Sequence, residues 1–205
     1  VKYAPMQDGK FDLGKILELV DSRTKIVFLC NPNNPTGTSF GEGEFRAFME
    51  RIPPSVLVVS DEAYREYVER PDFPDTLRMI PQYPNLVVLR TFSKIYGLAG
   101  LRVGYGVGAR EVIADFYKTK TPFNVNLLAQ EAALAALEDD EFVKRSVETN
   151  RKGKEYLYRE FDRLGLRYYP SDANFVCVHV GRDSVEVFKA IMDLGVTIRP
   201  LRSFQ

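Results

Sequence analysis

Lys94 follows an apolar run, Leu86-Val87-Val88-Leu89, with one hydroxyl three residues before it (Thr91), another beside it (Ser93) and an arginine eight residues after it (Arg102). An amine in that setting is a nucleophile with an anion cradle. The amine can condense with a carbonyl, and the hydroxyls and the planar guanidinium can hold a phosphate. Two more chemistry-bearing residues stand just past apolar runs. Asp61 follows Val56-Leu57-Val58-Val59-Ser60, and Asn34 lies in Asn31-Pro32-Asn33-Asn34-Pro35-Thr36-Gly37, directly after the run from Thr24 to Cys30.

Together these residues read as a site for pyridoxal phosphate. Lys94 would hold the cofactor as a Schiff base, with Thr91, Ser93 and Arg102 around the phosphate. Asp61 would pair with the pyridine nitrogen and keep it protonated, so that the ring can absorb carbanion charge. Tyr64, three residues on, and Asn34 would donate to the ring oxygen. Lys94, once a substrate amine displaces it, would move a proton as a general base. Singly, each residue has a plainer reading: a solvated lysine, an aspartate helix cap, an Asn-Pro turn, a surface arginine. The glycines Gly97, Gly100 and Gly104 do not fit the G-x-G-x-x-G spacing of a dinucleotide loop. What favours the joint reading is the order, each residue falling after the end of a successive strand.

The elements that must position them follow from the pattern. A short strand fragment, Val1 to Pro5, precedes a turn, and Asp12 can cap a helix running to about Asp21. Thr24 to Cys30 reads as a strand buried on both faces. A helix over 42–51 precedes a second strand over 55–60, and residues 65–85 read as irregular, with a short helix around 76–80. Leu86 to Thr91 is a third strand and Val103 to Val107 a fourth. The link between those two is too short for a parallel crossover, so the fourth should run antiparallel to the third. The fold class expected is α/β: a mostly parallel sheet with helices on both faces and right-handed crossovers. Ligands of such sheets bind beyond the carboxyl ends of the strands, where Asn34, Asp61 and Lys94 would meet. A helix over 110–118 and a long helical stretch over 127–164, broken near Glu138-Asp139-Asp140-Glu141, come next. Strands over 168–180 and 196–199 flank a helix over 184–194. The division expected is residues 1–150 as part of a large cofactor-binding domain and 151–205 as part of a small α+β C-terminal domain.

The chain has 205 residues, 45% apolar and 27% charged, with a net charge of zero. No field draws it to nucleic acid or an acidic membrane, and no stretch reaches the roughly 20 apolar residues of a membrane span. Two cysteines, Cys30 and Cys177, sit in apolar runs and read as buried reduced thiols of a cytoplasmic protein. The one histidine, His179, reads as structural, and no Cys/His spacing suits a metal. The chain starts without a methionine, so it is expected to be part of a longer one.

The motifs Asn31-Pro-Asn-Asn-Pro-Thr-Gly37, Ser60-Asp-Glu-Ala-Tyr64, Thr91-Phe-Ser-Lys94 and Gly100-Leu-Arg102-Val-Gly104 resemble the fold-type-I aminotransferases of class I/II. Lys94 to Arg102, with Pro122-Phe-Asn-Val-Asn126 and Gln130-Glu-Ala-Ala133, is most similar to the histidinol-phosphate aminotransferase branch of that family. The resemblance implies a pyridoxal-phosphate enzyme of amino-acid biosynthesis, with Lys94, Asp61, Asn34, Tyr64, Thr91, Ser93 and Arg102 in the roles given above. It also places Asn174 near the substrate, with Arg199 as a further candidate. It implies transamination between an amino compound, histidinol phosphate in the first instance, and 2-oxoglutarate, by a homodimer. Decarboxylation of a phosphorylated amino acid, carbon–sulfur lysis, and a non-catalytic domain that senses the cofactor share the same motifs and stay open. The family's upstream phosphate loop, its ring-stacking aromatic residue and its C-terminal carboxylate-binding arginine have no counterpart between Val1 and Gln205.

Overall fold

The computed structural model describes residues 1–202. An antiparallel ribbon, β1 (Met6–Gln7) and β2 (Lys10–Phe11), opens the chain and leads into α1 (Leu13–Leu19). Asp12 caps α1, its carboxylate accepting from the Lys15 amide at 2.9 Å. Strand β3 (Ile26–Cys30), helix α2 (Glu42–Met49), strand β4 (Leu57–Asp61), the short helix α3 (Thr76–Met79) and strand β5 (Leu86–Thr91) follow, and β6 (Gly104–Gly108) turns back beside β5. The sheet order is β3-β4-β5-β6, with the first three parallel and β6 antiparallel. The reversal expected from the short β5–β6 link is therefore present.

Amphipathic pattern decides the packing. Leu13 and Ile16 of α1 and Phe45, Phe48 and Met49 of α2 meet Leu29, Val58, Leu86 and Val88 of the sheet in one buried cluster. A second cluster, Phe92, Val103, Ala129 and Ala133, joins the β5–β6 link to α5 (Leu127–Leu137). Strand β6 carries glycine at alternate positions. A Cβ on Gly104 would stand 2.8 Å from the Arg90 carbonyl oxygen, on Gly106 3.2 Å from Leu89, and on Gly108 3.1 Å from Val87.

Helix α4 (Arg110–Thr119) precedes α5, and α6 (Asp140–Arg163) runs unbroken through residue 150. The last elements are β7 (Arg167–Tyr169), its antiparallel partner β8 (Cys177–His179), and α7 (Ser184–Met192). The segment between β7 and β8 is clamped from two sides. Lys154 Nζ donates to the Ser171 carbonyl at 2.6 Å, and the Ser171 amide donates to the Tyr158 hydroxyl at 2.8 Å. The Asp172 amide donates to the Gly37 carbonyl at 2.8 Å, and the Ser39 hydroxyl donates to the Asp172 carboxylate.

Several local expectations need correction. Strand β3 is not buried on both faces: Leu29 is fully buried in the cluster under α1 and α2, whereas Ile26 and Phe28, on the opposite face, are 47% and 65% exposed. The first strand lies at Met6–Gln7 rather than Val1 to Pro5, since pairing with β2 starts there. The expected strand over 168–180 is two short strands, broken where the chain is clamped around Ser171 and Asp172. Residues 196–199 form no strand, having no paired neighbour among the described residues. His179 is exposed rather than satisfied in a core, its Nδ1 accepting from the Gly181 amide at 3.3 Å. Cys30 and Cys177 are free but only partly buried.

Candidate active site

Register brings three strand ends to one edge. Cys30 pairs with Asp61, Asp61 with Leu89, and Thr91 with Gly104. The ladder continues one step beyond β4, where the Asn31 amide donates to the Asp61 carbonyl and the Glu62 amide to the Leu89 carbonyl, each at 2.9 Å. The carboxyl ends of β3, β4 and β5 therefore share this edge with the start of β6.

The loop after β3 holds its shape through its own polar groups. Both ends of the Asn31 amide bond to the Phe40 backbone, at 3.0 and 3.3 Å, and Asn31 is 1% exposed. The Asn33 side chain donates to Thr36 Oγ1 at 2.8 Å, and the Gly37 amide donates to the Asn33 carbonyl at 2.7 Å. Buried backbone groups that two prolines keep out of a ladder are thus paired locally. The loop presents Asn34, whose Nδ2 donates to the Tyr64 hydroxyl at 3.1 Å. Tyr64 is 6% exposed and packs its ring edge-on against Phe175, centroids 5.1 Å apart. Lys94 Nζ stands 5.2 Å from the centre of the same ring. Asn34, Tyr64 and Lys94 are therefore brought together.

Asp61 ends β4 with its Oδ1 accepting from the Ala63 amide at 3.2 Å and its Oδ2 3.9 Å from Cys30 Sγ. Burial first, then the Asp61 charge and its hydrogen bond, pushes the Cys30 thiol up to about 11, so it stays protonated as a weak donor toward Asp61. Thr91 Oγ1 accepts from the Ser93 amide at 3.0 Å, which turns the chain from β5 toward Lys94. The Phe92 amide donates to the Val103 carbonyl at 3.2 Å and keeps the Arg102 segment beside Thr91. Arg102 is exposed and left-handed, with φ 55° and ψ 52°, and donates to the Ala99 carbonyl at 2.6 Å. A non-glycine residue held in that region is a strained position of the kind found at binding sites.

The two substrate candidates part company. Asn174 adjoins Ala173, which is buried against Tyr64, Tyr67 and Ile95. Burial raises the pKa of Tyr67 in that cluster, and the neighbouring Asn174 side chain pulls against the rise. Arg199 instead lines a cavity of about 680 Å³ with Val185, Phe188 and Arg202, none of which belongs to the set around Lys94. A second cavity of about 700 Å³, lined among others by Asp8, Lys10, Glu44, Arg70 and Asp172, is also separate. The candidate site is an open sheet edge.

One feature of the site was not read from the sequence. Glu62 is fully buried, and Arg90 donates to its Oε2 from Nε at 3.1 Å and from Nη2 at 2.9 Å. Ser60 donates to Glu62 Oε1 at 3.3 Å, and Thr76 donates to the same oxygen. Burial pushes the Glu62 carboxyl up, against the pull of Thr76 and Arg90, while the Glu62 charge holds Arg90 above its ordinary range despite its own burial. The signal available was a pair of opposite charges at the ends of two apolar strands.

The donor set suits pyridoxal phosphate: an amine for its carbonyl carbon, a carboxylate for its ring nitrogen, an amide and a phenol for its ring oxygen, and hydroxyls with a guanidinium for its phosphate. Among the described residues no cluster of three or more His, Cys, Asp or Glu could hold a metal, and no helix is long and apolar enough to cross a membrane.

The family model for aminotransferase class I and II matches residues 1–205. The histidinol-phosphate aminotransferase of Moorella thermoacetica is 50% identical over 196 residues, which is 95% of this chain and 51% of that protein. The one from Symbiobacterium thermophilum is 52% identical over 200 residues, 98% of this chain and 55% of that protein. The solved structure of histidinol-phosphate aminotransferase from Sinorhizobium meliloti in complex with pyridoxal-5'-phosphate aligns with a TM-score of 0.89 at 33% identity, covering 95% of this chain and 54% of that one. The chain spans about half the length of the curated relatives it matches.

Proposed function

The chain belongs to the aminotransferase class I and II family, and from that premise we propose that it carries the lysine-bearing part of a pyridoxal-phosphate enzyme that moves an amino group between an amino compound and a 2-oxo acid. Histidinol phosphate is the amino compound proposed, by likeness to relatives of that name, and 2-oxoglutarate is the acceptor proposed from the family resemblance of the motifs. The observation that carries the reading is the meeting of Asn34, Tyr64 and Lys94 at the sheet edge where Asp61 ends β4.

When bound, pyridoxal phosphate supplies a ring that takes up the electron pair left at the substrate's α-carbon. Lys94 gives the cofactor its covalent attachment and, released from it, carries a proton at Nζ to and from the α-carbon. Asp61 holds a proton at the ring nitrogen, its carboxylate oriented by the Ala63 amide. The Tyr64 hydroxyl already accepts from Asn34, so its own proton is directed elsewhere and can be donated to the ring oxygen. Thr91, Ser93 and Arg102 bind the phosphate. Asn174 is proposed at the substrate, supported by its place between Ala173 and Phe175, which both pack in the cluster that holds Tyr64. Arg199 has no such support, since the residues it lines a cavity with are not those around Lys94. Residues 1–150 are read as part of the large domain and 151–205 as part of the small one, in a cytoplasmic homodimer with small-molecule substrates and no nucleic acid.

Borohydride reduction of the full gene product followed by peptide mapping tests the centre of this reading. A pyridoxyl group on Lys94, lost in Lys94→Ala, is the expected result; an adduct elsewhere overturns it. Assays with histidinol phosphate and 2-oxoglutarate, against release of carbon dioxide or pyruvate, separate amino transfer from decarboxylation and carbon–sulfur lysis. Transfer absent beside either of those reactions overturns the transamination.

A further inference from the structure

The Glu62–Arg90 pair lies directly behind the site. Asp61 and Glu62 are consecutive at the end of β4, and Arg90 and Thr91 are consecutive at the end of β5. Successive residues of a strand face opposite sides of its sheet. Asp61 and Thr91 therefore share one side, and Ser60, Glu62 and Arg90 share the other, as their mutual hydrogen bonds require. Glu62 is also the last rung between the strands, its amide donating to the Leu89 carbonyl at 2.9 Å. We propose that Glu62 and Arg90 are positioning residues, a two-point lock on the back of the β4–β5 edge that sets Asp61 and Thr91 at the separation the cofactor's ring nitrogen and phosphate demand. The inference rests on the reading of Asp61 and Thr91 given above.

Three observations support a positioning role over an ordinary ion pair. Both Glu62 oxygens are engaged by donors from three elements: Ser60 in β4, Arg90 in β5 and Thr76 in α3. Arg90 offers a fork rather than a point charge, and Nε and Nη2 both close on one oxygen, which fixes angle as well as distance. The pair is also sequestered: the Glu62 side chain is fully buried and that of Arg90 only 17% exposed, so the geometry is held away from solvent. A buried pair of this kind adds little net stability compared with apolar residues of the same shape, and geometry is what it can contribute.

The test uses the full gene product with three readouts: melting of the apoprotein, the dissociation constant for added pyridoxal phosphate, and the pH dependence of the bound cofactor's visible absorbance. The decisive variant is the double substitution Glu62→Met with Arg90→Met, which removes both charges and leaves none buried alone. Its apoprotein should melt close to the wild type, yet bind pyridoxal phosphate about tenfold or more weakly and titrate at a shifted pH. A double variant with wild-type affinity and titration overturns the proposal, as does a loss of affinity that only follows a loss of folding. Should the double variant not fold, Arg90→Lys keeps the charge and loses the fork. Weaker binding by a folded Arg90→Lys supports the lock, and wild-type binding overturns it. A wild type without pyridoxyl-Lys94 overturns the cofactor reading and this inference together, whereas a wild type that carries it alongside an indifferent double variant overturns the inference alone.

Discussion

The Asn34 amide donates to the Tyr64 hydroxyl over 3.1 Å, joining the loop after β3 to the turn after β4. Tyr64→Phe removes the acceptor and the phenolic donor together. Asn34 is exposed, so water can replace the lost bond, and the stability cost should stay below about 1 kcal/mol. The functional effect should be larger. The pH dependence of the bound cofactor's absorbance should move in Tyr64→Phe while urea unfolding barely changes; an unmoved absorbance would separate Tyr64 from the ring oxygen.

Asp61→Asn keeps the shape at the end of β4 and an acceptor for the Ala63 amide, but not the charge. Amino transfer should slow by roughly 10²–10³-fold, the scale on which one preorganised charge-stabilising group acts. Pre-steady-state kinetics of the first half-reaction measure it, and a loss below threefold would place the ring nitrogen elsewhere.

Gly37 has φ +77°, and a Cβ there would stand 2.1 Å from Ser171 Oγ. Gly37→Ala should destabilise the protein by about 1–3 kcal/mol from backbone strain, with more from the collision. Denaturant melts check it. Adding Ser171→Gly should recover the steric part only, leaving the strain of the positive φ.

Cys30 gives a pH window. Its thiol is pushed to about 11 in the fold against an ordinary value of 9.0. The unfolded chain therefore releases this proton first. Its contribution to stability is full below pH 9 and is lost as pH rises toward 11, by about 2–3 kcal/mol in all. Unfolding of the wild type and Cys30→Ala, compared across that range, should show the difference between them change by this amount. At neutral pH the thiol should react slowly with alkylating agents, because the thiolate is the nucleophile.

How much of this was legible depends on the kind of signal. Strand ends and the reversal of β6 follow from runs and gaps along the chain, so the meeting of Asn34, Asp61 and Lys94 at one edge could be reasoned without coordinates. The exposure of Phe28 could not, because an apolar run reads the same whether one face of its strand is covered or both. The Glu62–Arg90 pair needed inter-strand register, which decides whether two charges 28 residues apart share a side of the sheet. Arg199 was placed by family likeness alone, and its segment makes no strand pairing that would carry it toward Lys94.

The alternating glycines of β6 act as a comb. Gly106 and Gly108 leave gaps into which Leu89 and Val87 of β5 project, Gly104 lets the backbone close on the Arg90 carbonyl, and Tyr105 and Val107 fill the positions between. Sliding β6 by one tooth would drive Tyr105 and Val107 into those projections. A slip of that size would also carry Arg102 about 3.4 Å along the edge, beyond the tolerance of a phosphate contact. Three missing side chains therefore proofread the pairing of β5 with β6, and through it the place where the guanidinium stands.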